Sequence, residues 1–600
     1  MPLHSKLQPL KQLHVNKENK SLMYIPTEIL QKISSHFTED ISTLFSCILV
    51  SRNWCTSLIG ILWSQPFHLS HSPRLIEIYL SFLPENTLDQ LKLKNFHPRN
   101  TKYEFTFDYP SFLRKLSIPL LCNVIGEYLR KELNITTLPS SKINYYTINN
   151  IEQIMYTDLL KLFSKQKQII ITPTFKLLVE KQIIILRELC KLIYNKIDVI
   201  SEFEFNIGIN FSEDVTFLDR QLAVEDLMNL QDRFKGLKVL VYSGNNNVLC
   251  FLAKHCKRIE SLKLFRKNEL DNDDPSIQLI SAQKNLRNLE IHDWNINSSN
   301  IIFPSITPLL ESIQTQSNSL RSIKIIDCNF NKSKPLRALS KCHNLEEIII
   351  KENYNFNERL IAPLTKTKFS NLRIFIYQYQ LNNFINDEEE YDDNLSEDRF
   401  IEDDEFINPN EIFSRIIFNA KDSLRIVSIN GFKTLQSLNN TLNSLIECRN
   451  LIKLDIMLKK SENVLPLLLS IIEHNQSLEK LYIISDTPDL LNNNLIIDAN
   501  EFLYLFVKVL PQNFKLLRMY TPDWWFSTNT LKQFLEKIKF RIKSMCWMNY
   551  GYCFECSEVL SNYVKLNGCK LLYGEDCEFV SDNLGPYRIN VFFNESLISA

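Results

Sequence analysis

A chain of 600 residues with Lys+Arg 68 against Asp+Glu 69 carries a net charge of −1, which excludes the basic excess of a nucleic-acid or anionic-membrane binder. Hydrophobic residues at 44% and charged residues at 23% describe a globular protein with ample core material. Glycine, at 10 residues, is too scarce for glycine-rich phosphate loops, and neither GxGxxG nor GxxxxGK occurs.

In chain order, residues 1–20 read as a polar, disordered tail without the apolar segment of a signal peptide. The longest apolar run, near 465–472, is far below the ~20 residues a membrane span needs. The expected compartment is cytosol or nucleus, with the 14 cysteines as free thiols, several of them (Cys47, Cys190, Cys250, Cys448) in apolar segments.

Residues 23–67 predict three short helices. Pro26 suits a first helical position, and Ile29, Leu30, Ile33 and Phe37 make an apolar stripe behind it. Asp40 suits an N-cap for a second helix through Leu44, Phe45, Ile48 and Leu49. A third helix carries Trp54, Leu58, Leu62 and Trp63. So short a unit cannot hide all of this apolar surface within itself. The excess must dock on a partner or on the rest of the chain.

Here Ile25-Pro26-Thr27-Glu28-Ile29-Leu30, then Leu49-Val50-Ser51-Arg52-Asn53-Trp54, then Leu62-Trp63, resembles the F-box pattern L-P-x-E-(I/L)-L, L-V-(S/C)-(R/K)-x-W and L-W. Ile25 departs from the usual Leu, a volume-conserving swap. The resemblance implies docking onto a Skp-type adaptor and through it onto a cullin-based ubiquitin ligase. The residues it assigns to that contact are Ile25, Pro26, Ile29, Leu30, Ile33, Leu49, Val50, Trp54, Leu62 and Trp63. A helical cap that merely covers the next domain is the other reading.

Residues 68–195 predict a helical linker, with helices at 74–83, 151–163 and 175–193 and loops at 97–110 and 134–148. The Leu88, Leu91, Leu93 triplet reads as helix or loop. From about 196 to 600 the pattern L-x-x-L-x-L recurs, as in Leu286-Leu289-Ile291, Leu451-Leu454-Ile456 and, weakly, Ile542-Met545-Trp547. A step of 27 residues separates 259 from 286, 345 from 372, 424 from 451 and 451 from 478. That is the period of leucine-rich repeats, each a strand and a returning helix. Asn245, Cys328 and Asn353 stand where such repeats place a buried polar turn residue. Cys342 and Cys448 precede their strands as in the longer, cysteine-containing repeats often joined to an F-box. The expected fold class is therefore α/β: an N-terminal three-helix F-box (21–67), a helical linker and a curved leucine-rich-repeat solenoid. An acidic insert at 385–406, with 12 acidic residues of 19 across 387–405, reads as a mobile loop. An irregular α/β domain with coincidental triplets is the competing reading.

In each repeat strand, the residue between the last two core positions and the one just after them should share the concave face. That places Phe265, His292, Ile326, Ile349, Ile376, Met457, Tyr482, Ile484 and Tyr520 as candidate target contacts, with Ser243 and Ser428 on the same face and Trp524-Trp525-Phe526 in a nearby loop. Apolar and aromatic residues collected on an exposed face usually mark a contact site, although such residues also suit strands for packing alone.

Cys553-x-x-Cys556 with Cys569 and Cys577 is the one metal-like spacing, and its second pair is too far apart for a four-cysteine zinc site. No cysteine sits in a nucleophile context. The expectation is a non-catalytic substrate receptor that needs no cofactor and binds neither nucleic acid nor membrane. It would hold an adaptor at one end and an unidentified protein target at the other. The alternatives are a scaffold without ligase output and a zinc- or cysteine-dependent enzyme at the C-terminus.

Overall fold

The computed structural model describes residues 25–37, 40–93, 105–132, 173–206, 231–243, 246–266, 275–293, 306–330, 333–378, 408–459, 461, 463–485, 497–521, 524–538, 544–548, 559, 570–572 and 589–592. The chain divides into two compact units. One comprises Met1–Lys115 with Asn123–Ile197, the other Leu116–Cys122 with Asp198–Ala600. The tail at 1–20, the helix expected at 151–163, the loop at 134–148, the acidic insert and the Cys553/Cys556/Cys569/Cys577 set all lie outside the described residues.

In the first unit, α1 (Thr27–Ser34), α2 (Ile41–Ile48) and α3 (Arg52–Leu62) stand where the sequence placed three helices. The Pro26 carbonyl accepts the Ile29 and Leu30 N–H groups at 3.1 Å each, so the proline sits just outside α1. Asp40 caps α2 by accepting the Thr43 N–H at 3.0 Å. Ser51 caps α3 by accepting the Trp54 N–H at 3.3 Å. Leu30, Leu44 and Leu58, one from each helix, are buried, each at most 1% exposed. Beyond them run helices Arg74–Leu80, Glu85–Leu93, Ile118–Glu132 and Pro173–Lys196. Leu88, Leu91 and Leu93 are thus helical, and the 74–83 helix stops three residues early, before Pro84.

The strands, in chain order, are β1 Lys115–Ser117, β2 Glu202–Asn206, β3 Val239–Ser243, β4 Ser261–Arg266, β5 Asn288–Asp293, β6 Ser322–Ile326, β7 Glu347–Lys351, β8 Ile374–Gln378, β9 Ile426–Ile429, β10 Lys453–Leu458 and β11 Lys480–Ser485. Then follow β12 Ile497–Asp498, β13 Leu516–Tyr520, β14 Trp524–Trp525, β15 Ser544–Met548, β16 Lys570–Leu572 and β17 Ile589–Phe592. From β2 to β11, then β13 and β15, every strand pairs in parallel with its sequence neighbour. The register is constant: Leu454 faces Val427 on one side and Leu481 on the other, and Leu481 faces Leu517. Each strand returns through a helix or 3-10 segment, as in Leu435–Ile446 and Val464–His474. The second unit is therefore an α/β repeat solenoid of the leucine-rich-repeat kind. Its sheet ends on β17 and β16, which pair antiparallel, a change of direction that no 27-residue period foretells.

Repeat triplets fill the space between sheet and helices. Leu454, Ile456, Leu468, Ile471, Leu481 and Ile483 are each at most 1% exposed. In β7's return the segment Glu358–Lys366 is a 3-10 helix, and Pro363 within it lacks the N–H an α-helix would use. At the turns after β6 and β7, Asn353 carries the expected buried polar role. Its Oδ1 accepts the Cys328 N–H at 2.8 Å and its Nδ2 donates to the Ile325 carbonyl at 3.0 Å. Asn353→Leu strands both buried backbone groups at about 1–3 kcal/mol each. A loss of about 2–4 kcal/mol is expected, read as a lower urea midpoint; an unchanged midpoint would remove the amide's structural role.

Candidate interaction surfaces

The helical unit presents two apolar stripes to solvent. On α1 and the turn after it, Ile29, Ile33 and Phe37 follow at i, i+4 and i+8; on α2 and its end, Ile41, Phe45 and Leu49 do the same. Leu49 is 70% exposed and Val50 64%, the highest among the exposed large apolar residues. The inward face is already complete, with Leu30, Leu44, Leu58, Ile59 and Phe67 buried. Polar contacts hold the unit's edges: Asn53 Nδ2 donates to the Ile25 carbonyl at 3.2 Å, and Ser57 Oγ donates to Thr27 Oγ1 at 3.3 Å.

Among the ten residues assigned to an adaptor, the structure leaves Pro26, Ile29, Ile33, Leu49 and Val50 exposed. Ile25, Trp54 and Leu62 are half-buried. Two assignments need correction. Leu30 is 1% exposed and belongs to the core, because α1 turns it toward α3 and leaves Ile29 outside. Trp63 stacks on Tyr109 with ring centroids 4.2 Å apart and lies 6.4 Å from Tyr79, so it ties the three helices to the rest of its own unit. Phe37, Ile41 and Phe45 belong to the exposed surface and were not assigned; the i, i+4 spacing of Phe37 from Ile33 on one stripe and of Ile41 and Phe45 on the other is the signal that could have found them.

In the solenoid, the open face of the sheet is ordered into rows by the constant register. A middle row runs Val241, Lys263, Glu290, Lys324, Ile349, Ile376, Ser428, Asp455, Tyr482, Arg518, each opposite the next. A further row carries Phe265, His292, Ile326, Lys351 and Gln378, and then Met457, Ile484 and Tyr520. The strand-face assignment therefore holds in placement. It fails in exposure at Ile349 (8%) and Met457 (5%), and Ser243 and Ser428 are buried too. Ile349 is flanked in register by Lys324 and Ile376, and Met457 by Ile484, whose side chains share this face with them. Phe265, His292, Ile326, Ile376, Tyr482, Ile484 and Tyr520 remain half-exposed. The segment expected as a loop is partly strand: Trp524 and Trp525 form β14, paired with β12, and Trp524 and Phe526 are buried while Trp525 is exposed.

At β4 and β5 the face is self-paired. Glu290 Oε1 lies 3.0 Å from Lys263 Nζ and 2.7 Å from His292 Nε2, while the Phe265 and His292 rings stack at 4.8 Å. Burial pushes the Glu290 carboxyl up, but the His292 hydrogen bond and the Lys263 charge win and hold it at about 2. A second polar feature escaped the sequence reading. Just before the strands, Arg287, Arg321 and Arg373 line a groove of about 380 Å³ with Glu346 among them, and Arg321 pairs with Glu346 at 2.7 Å.

The described cysteines are free. Burial pushes the Cys256, Cys342 and Cys448 thiols up to about 12, so they stay protonated, and Cys250 is exposed rather than buried. Among the described residues no cluster of three or more His, Cys, Asp or Glu is placed to hold a metal ion, and no helix is long and apolar enough to cross a membrane.

No family model and no curated protein matches the chain. Among solved structures, the leucine-rich repeat-containing protein LegL7 from Legionella pneumophila is similar to it at 11% identity, over 62% of this chain and 94% of that one, with a TM-score of 0.27. So slight a likeness carries no argument; the repeat assignment stands on the register and burial described above.

Proposed function

We propose that this chain is a substrate-recognition subunit of a Skp/cullin/F-box-type ubiquitin ligase. The helical unit docks on a Skp-type adaptor through Ile29, Ile33, Leu49 and Val50. The open sheet face of the solenoid holds a protein target. One observation carries the reading: seven large apolar side chains face solvent on α1, α2 and the turns that follow them, in a unit whose interior is already filled. Apolar surface gathered in that way marks a contact site, and three of the seven residues, Ile29, Leu49 and Val50, are positions of the F-box pattern. The chain then contributes proximity, with the bond-making chemistry supplied by the enzymes it brings together.

The test is reconstitution. Full-length chain mixed with a purified Skp-type adaptor and cullin should elute as one complex, and in cells a protein should rise in abundance when residues 23–67 are deleted. Elution apart from the adaptor would overturn the reading. A stable adaptor complex without any cullin or any accumulating protein would convert it to that of an interaction scaffold.

A further inference from the structure

We propose that the open face across β10, β11 and β13 is an anion platform that receives an acidic, extended peptide segment. This deepens the target-binding reading above and rests on it. Tyr482 on β11 is the centre. Lys453 Nζ, from β10, lies 4.4 Å from its ring centroid, and Arg518 Cζ, from β13, lies 5.0 Å from it. The two cations thus come from the strands on either side of the ring, as the register Asp455, Tyr482, Arg518 requires.

An aromatic ring attracts cations but does not neutralise them. Several other cations of the solenoid stand against carboxylates: Lys263 with Glu290 at 3.0 Å, Arg321 with Glu346 at 2.7 Å, Lys515 with Glu479 at 2.7 Å. Among the described residues, no carboxylate stands within ion-pair distance of Lys453 or Arg518. The carboxylate of this stretch, Asp455, is engaged sideways: it accepts Ser428 Oγ at 3.0 Å, and that hydroxyl accepts Gln378 Nε2 at 3.0 Å. At Lys453 the charge of Asp455 is met by those of three cations, Lys351, the exposed Lys480 and Arg518, so one carboxylate serves four positive groups. Burial pushes both the Lys351 and Lys453 ammonium groups below their usual range, against the opposing charge of Asp455 at each and of Glu352 at Lys351.

The fold therefore maintains a half-buried, under-compensated positive site, and an incoming anion would complete it with charge-assisted hydrogen bonds. Half-buried Ile484 and Tyr520 lie beside it in the next row and suit an apolar residue next to the anionic one. A peptide fits better than a nucleic acid, because Glu290, Glu347 and Asp455 interrupt the face and no continuous basic stripe forms.

Fluorescence anisotropy on the full-length chain tests this with three labelled peptides: alternating glutamate and leucine, the same with phosphoserine for glutamate, and the same with lysine for glutamate. At least one anionic peptide should bind, weakening as salt rises, and the lysine peptide should not; the tighter of the two anionic peptides identifies carboxylate or phosphate as the preferred group. Lys453→Glu and Arg518→Glu should each weaken binding roughly tenfold or more. The milder Lys453→Gln/Arg518→Gln chain, checked for an unchanged melting temperature, should also bind more weakly. Absence of binding by both anionic peptides, equal binding of the lysine peptide, or full affinity in the folded glutamine variant would overturn the proposal. Adaptor capture is measured in the same preparations. Capture without peptide binding sinks the platform alone, and peptide binding without capture sinks the ligase reading alone.

Discussion

Leu49→Asp/Val50→Asp is expected to abolish adaptor capture, with affinity falling by about a hundredfold or more, while the melting temperature of the free chain stays put. At 70% and 64% exposure these side chains give the free fold little to lose. Burying each at an interface would supply about 1.5–3 kcal/mol, and a buried, unpaired carboxylate in its place adds a desolvation cost of its own. Leu30→Ala is the contrasting change. At 1% exposure it opens a cavity costing about 2–5 kcal/mol, so any loss of capture in that variant arrives with a lowered melting temperature. Calorimetry with purified adaptor, run beside thermal melts of the same samples, separates the two cases. Undiminished capture by the folded double-aspartate chain would show that the exposed stripes are not the contact surface.

How far the sequence could be read follows from which contacts are local. The 27-residue step and the L-x-x-L-x-L triplet suffice for strand placement and register, because a one-residue slip would turn Leu454 or Leu481 out of the core. Asp40 was legible for the same reason: an N-cap satisfies an N–H only three residues on. The choice between Ile29 and Leu30 was not legible. Adjacent apolar residues on one helix differ in direction by about a quarter turn, and only the position of α3 decides which of them goes inside. Exposure on the sheet face was likewise hidden. Ile349 is shielded or not by what flanks it on β6 and β8, residues remote from it in sequence. The grouping of Lys453, Tyr482 and Arg518 joins three different repeats, and Trp63 finds Tyr109 within the linker, 46 residues on, so neither association leaves a trace in any short window.

Asp327→Asn should stabilise the solenoid at pH 8 by about 2–4 kcal/mol and leave it nearly unchanged at pH 4. Asp327 follows β6 in a left-handed conformation, φ 54°, and Glu352 follows β7 in the same conformation at φ 53°. The repeat thus stacks two carboxyl groups on neighbouring turns. Burial, and then the charges of Glu352 and Asp293, push the Asp327 carboxyl from 3.8 up to about 7, and the hydrogen bond to Glu352 favours the protonated form further. A carboxyl raised in the folded state binds its proton more tightly there than in the unfolded chain. Between pH 4 and pH 7 the folded state therefore holds protons that the unfolded state has lost, and stability from this group declines as pH rises through that window. Above pH 7 the folded chain bears the full penalty of ionising Asp327 beside Glu352. Asparagine keeps the donor to Glu352, carries no charge, and tolerates positive φ as readily as aspartate. Urea midpoints at pH 4, 6 and 8 should slope downward in the wild type and much less in the variant. Equal slopes in the two proteins would mean that Asp327 ionises without cost, and that the stacked turns do not set the pH response of the solenoid.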